Sequence, residues 1–101
     1  MNVRKLTLHC PAALGEQVTD FLLEQRVPDG GFISFPARGH GRDFTAASPG
    51  EQVRGHVETM VIVALLPDAR LEPLLDMLRA RFPTPRIAYW IEPVDASGDF
   101  A

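Results

Sequence analysis

Apolar positions along this chain switch period from two to about 3.6 and back, twice over. From Val3 to His9, Leu6 and Leu8 alternate with Lys5, Thr7 and His9, which predicts a half-buried strand. Pro11 suits the first turn of a helix, where its missing N–H costs nothing. Leu14, Val18, Phe21 and Leu22 follow at helical spacing, with Glu16, Asp20 and Glu24 outward. Pro28-Asp29-Gly30-Gly31 carries turn chemistry and ends that helix. Phe32 to Phe35 reads as a second strand that continues irregularly past Pro36 towards His40.

A third strand is expected from Val53 to Leu66. Its odd positions (Val53, Gly55, Val57, Thr59, Val61, Val63, Leu65) form a coherent core face. Its even positions begin polar with Arg54, His56 and Glu58 and turn apolar with Met60, Ile62, Ala64 and Leu66. The far half therefore asks for cover on both faces. Pro67 and Asp68 open a second helix whose stripe is Leu71, Leu74, Leu75, Leu78 and Phe82. Arg79 and Arg81 suit the negative pole of its dipole, and Pro83 and Pro85 stop it. Arg86 to Glu92 makes a fourth strand, and residues 95–101 form a polar tail.

Two β-α-β units interleaved into one sheet give an α+β, ferredoxin-like fold. Its four-stranded antiparallel sheet has the order 4-1-3-2, with two helices on one face. An open α+β sandwich of different strand order is the competitor. The domain is expected to cover residues 1–94, with a long polar loop at about 39–52 and a tail at 95–101. Helices on one face leave the other bare, so the two-sided half of strand three implies a homo-oligomer.

Composition narrows the class. The 101 residues suffice for one domain. A net charge of -3 argues against nucleic acid, which needs a cationic stripe. Cys10 stands alone, so no internal disulfide framework exists. No apolar run approaches the ~18 residues that span a bilayer, and the N-terminus lacks a continuous apolar signal core. A cytoplasmic protein without membrane insertion is the expectation.

Topology gathers the candidate chemistry. Strands one and two run parallel and end at one rim of the sheet, where strand three begins. His9, His40 and His56 are therefore expected there together, His9 and His56 by parity on the face opposite the Leu6/Leu8 and Val57/Val61 core, with Cys10 nearby but opposite His9. Imidazoles in such a group suit a transition metal ion such as zinc or copper, although their spacing matches no recognised zinc signature. Alternatively the three are solvated histidines at strand ends. Arg38, Arg42 and Arg54 against Asp43 and Glu51 make residues 38–56 +1 in an acidic chain. With glycines 39, 41, 50 and 55, this window suits a phosphate or carboxylate ligand, or is a solvated loop. Glu16, Asp20 and Glu24 read as a solvated helix face. Tyr89 and Trp90 divide between core and interface. Ser34, Thr45 and Ser48 have no histidine–acid arrangement around them, so nucleophilic catalysis is unsupported.

Several segments together resemble the PII-like proteins. They are Leu22-Leu23-Glu24-Gln25, Gly31-Phe32-Ile33-Ser34-Phe35-Pro36, Gly39-His40, Gly50-Glu51-Gln52-Val53-Arg54-Gly55 and Tyr89-Trp90-Ile91-Glu92-Pro93-Val94. The similarity is nearest to a branch found beside heavy-metal efflux transporters. It implies a trimeric regulatory or signalling protein rather than an enzyme, linked to metal homeostasis. It also implies that residues 39–52 form an effector loop that docks on a partner such as a membrane transporter. The chain departs from the nucleotide-binding pattern of the family. Leu65-Leu66-Pro67-Asp68-Ala69 stands where a Gly-Asp-Gly-Lys phosphate loop is expected, and Glu92-Pro93-Val94-Asp95 is acidic where a basic pair is expected. Those departures argue against ATP or ADP. A small cofactor-free enzyme and a ligand-free interaction module are the alternatives.

Overall fold

A computed structural model describes residues 2–26, 31–40 and 55–101. The elements run β1 (Val3–Pro11), α1 (Ala12–Glu24), β2 (Ile33–Gly39), β3 (Val57–Pro67), α2 (Asp68–Arg81) and β4 (Ala88–Pro93). They form one four-stranded sheet in the order β2-β3-β1-β4, which read from the other edge is 4-1-3-2. Every neighbouring pair is antiparallel. The loop expected at 39–52 lies almost wholly outside the described residues.

Leu6, Leu8 and Cys10 of β1 share one core with Ile62, Ala64 and Leu66 of β3, Val18 and Leu22 of α1, and the α2 leucines at 71, 74, 75 and 78. Both helices thus cover the same face of the sheet. The α2 stripe is the expected one, and Phe82 closes it at the helix end. Pro73 lies inside α2 and removes the hydrogen bond that the Ala69 carbonyl would accept. The helix runs through because its buried leucines lie on both sides of that gap.

The core face of β3 is the even one, not the odd one that alternation suggested. Register decides it: Cys10, Leu8 and Leu6 face Met60, Ile62 and Ala64 across β1–β3, and paired residues share a face. Met60 to Leu66 is apolar at nearly every position, so hydropathy could not choose between its faces. Only Val57 and Thr59, at the rim, are buried on the odd side. Two prolines also sit differently from simple expectation. Pro11 ends β1 at φ -55°, ψ 140° and caps α1, which begins at Ala12. Pro36 stays in register opposite Met60, tolerated because β2 is an edge strand with one side of its backbone unpaired.

The face away from the helices carries Lys5, Thr7 and His9, the odd residues of β2 and β3, and Trp90. On it Ile33, Phe35, Leu65 and Trp90 remain between 42% and 67% exposed, a concentration of apolar side chains that a lone subunit leaves in water. Thr7 is buried there, and its hydroxyl has no hydrogen-bond partner among the described residues. No helix among the described residues is long and apolar enough to cross a membrane.

Candidate functional site

The antiparallel pairings bring one end of every strand to a single rim. β1 and β2 finish there, and β3 and β4 begin there. A cavity of about 100 Å³ opens at this rim, lined by His9, Gly39, His40, Thr59 and Arg86 among others.

His40 follows the last residue of β2, and His56 lies in the bend just before β3. Gly55, at φ 79°, supplies the left-handed turn that leads into His56. The two imidazole rings lie 6.0 Å apart, centre to centre. Two histidines sharing one tetrahedral zinc, with Zn–N bonds near 2 Å, place their ring centres about 5 Å apart, so this pair is spaced about 1 Å wider than such a site. His56 Nε2 is 2.8 Å from Glu58 Oε1. A carboxylate only accepts, so this contact puts a hydrogen on Nε2; in the neutral imidazole Nδ1 then carries the lone pair. Metal-binding histidines are oriented in this way by carboxylates behind them.

His9 is placed apart from that pair. It sits on the open sheet face with its ring 5.8 Å from the Trp90 ring, and it meets His40 only across the rim cavity. The even positions of β3 face the helices whereas His9 lies on the open face, so parity does not put His56 beside His9. Cys10 points the other way and is 1% exposed within the core, where burial pushes its thiol pKa up. Among the described residues no group of three or more His, Cys, Asp or Glu side chains is gathered to hold a metal ion. Arg38 is exposed near the end of β2, opposite Glu58 in register. Arg42 and Arg54 lie outside the described residues.

Glu58 and Arg86 were missed as site residues, and both were legible. In the strand expected over 53–66, His56 and Glu58 are two residues apart and share a side, and the contact forms although His56 lies in the bend before β3. Arg86 precedes a strand that must start at the rim, because it pairs antiparallel with β1, with His9 opposite Ala88. At the junction of β3 and α2, Pro67 and Asp68 are consecutive, so strand passes into helix with no loop between them. Asp68 is held there by Arg4 at 3.2 Å and by its own N–H to the Asn2 carbonyl.

The family described as a protein of unknown function, DUF3240, matches residues 1–101. The chain belongs to the DUF3240 family. A crystal structure of a DUF3240 family protein from Shewanella baltica OS155 superposes with a TM-score of 0.77 at 20% identity, covering 100% of this chain and 99% of that one. CPII from Thiomonas intermedia K12, a nitrogen regulatory PII-like protein bound to ADP, AMP and bicarbonate, gives 0.72 at 19% identity over 99% and 98% of the two chains. CPII in its apo form gives 0.67 at 17% identity over 93% and 90%. No curated protein sequence matches the chain. This DUF3240 member therefore has the PII-like fold, an antiparallel four-stranded sheet with two helices.

Proposed function

We propose that this DUF3240 chain is a non-enzymatic regulatory protein of the PII-like type, a cytoplasmic homotrimer that responds to a divalent transition metal ion at its sheet rim. The observation that carries the metal reading is the His40–His56 pair, 6.0 Å apart, with Glu58 fixing the tautomer of His56. Two imidazoles are half of a tetrahedral set. The remaining ligands would come from His9 across the cavity, from the loop at 41–54, from a neighbouring copy or from water. Arg38, with Arg42 and Arg54 from the loop, would attract a small anion to the same rim.

The apolar open face supports self-assembly, since Ile33, Phe35, Leu65 and Trp90 would be covered by other copies. In this reading the loop reports the bound state to a membrane transporter that exports heavy metals. The adenine nucleotides bound by CPII are not carried over. The acidic Glu92 and Asp95 stand where the family resemblance implies a basic pair, and they would repel phosphate. Titration calorimetry with zinc or copper chloride tests the metal reading: the wild type takes up the ion, and His40→Ala/His56→Ala loses that binding. Equal heats from both proteins would refute it.

A further inference from the structure

A second, apolar site lies on the helix side of the sheet, between α2 and the edge strand β4. It is a cavity of about 220 Å³ walled by Leu75, Leu78, Phe82 and Ile87, with Tyr89 and Arg79 at its mouth. An apolar cavity of roughly 150 Å³ accepts a benzene ring, so a phenyl side chain fits the space. The mouth carries two guanidinium groups, Arg79 and Arg81, against the one carboxylate of Asp76. Arg79 donates to Tyr89 Oη at 3.1 Å and to Asp76 Oδ1 at 3.3 Å, which uses two of the five N–H donors of a guanidinium. Arg81 lies 5.4 Å from the centre of the Phe82 ring.

The segment after β4 carries the complementary chemistry. It leaves Pro93 at the end of the sheet opposite the rim and passes beside β2, where residues 97–99 share a cavity with Ile33 and Leu65. Phe100 then stands fully exposed, next to the anionic Asp99. Its own α2–β4 cavity is out of reach from there. That cavity opens at the opposite edge of the sheet, three strand spacings or about 14 Å away, and Phe100 directly follows Asp99, which is still beside β2.

We propose that Asp99-Phe100 of one copy docks in the α2–β4 cavity of a second copy, Phe100 filling it and Asp99 meeting Arg79. This rests on the self-assembly proposed above and adds a second contact to it, one that straps neighbouring subunits together.

The test places a photocrosslinking p-benzoylphenylalanine at position 100 of the full chain, followed by irradiation and peptide mapping. Adducts joining two chains and mapping to residues 75–89 are expected. Arg79→Glu should lower their yield at least fivefold, and adding Asp99→Arg to that variant should restore it. Adducts within one chain, adducts elsewhere on a second chain, or a yield indifferent to Arg79→Glu would each overturn the proposal. An oligomer that survives intact without this adduct removes only the strap, whereas a chain that is monomeric in native mass spectrometry removes the assembly reading with it.

Discussion

Replacing Phe35 with glutamate should dissolve the assembly while leaving the subunit folded. Phe35 lies on the open face in register with Val61 and keeps 45% of its surface in water. Fully burying a phenylalanine is worth about 1.5–3 kcal/mol, so covering the exposed half contributes about 1 kcal/mol per copy. A carboxylate forced into that contact without a partner costs several kcal/mol more. Together these reach about 4 kcal/mol per copy, roughly a thousandfold in the association constant for each copy that carries the change. The fold itself loses only the contacts that the covered half of Phe35 makes within its own subunit, about 1 kcal/mol. Sedimentation velocity across a dilution series reads the first effect and a circular-dichroism melt reads the second. Wild-type and Phe35→Glu chains that sediment identically as oligomers would refute the assignment of this face to self-assembly.

Other predictions test the interior. Alanine normally stabilises the middle of a helix over glycine by about 0.5–1 kcal/mol, but a Cβ on Gly15 would lie 2.7 Å from Met60 Sδ and 3.3 Å from Met60 Cβ. Gly15→Ala should therefore lower the midpoint of urea unfolding, and Met60→Ala in the same chain should recover part of the loss. A higher midpoint for Gly15→Ala alone would show that the α1–β3 contact is looser than described. Burial raises the Cys10 pKa above the ordinary thiol value of 9.0. The folded chain then holds its proton where the unfolded chain has begun to release it. The resulting stability is complete below pH 9 and declines as pH rises through the folded value. Cys10→Ser should flatten that decline in melts between pH 8 and 10.5, and an unchanged slope would place its cause elsewhere.

Local signals carried most of the architecture. The Leu71–Phe82 stripe and the Leu6/Leu8 alternation each have one apolar face, so periodicity alone orients them. β3 is different: Val61, Ile62, Val63, Ala64 and Leu65 are all apolar, and its orientation follows from pairing with β1, which is a long-range fact. The same distinction governs the site. Topology brings His9, His40 and His56 to one end of the sheet, but ring placement is set by neighbours. Trp90 takes up the ring of His9, while the Gly55 turn and Glu58 set His56 beside His40. Trp90 is not detectable by spacing from His9, whereas Gly55 and Glu58 lie one and two residues from His56.

Native mass spectrometry of the full chain, with and without zinc, tests the central claim in one measurement. The account predicts a three-chain species that gains zinc, and a His40→Ala/His56→Ala protein that forms the same species without gaining it. A single-chain species that takes up no metal at any zinc concentration would contradict both halves of the account.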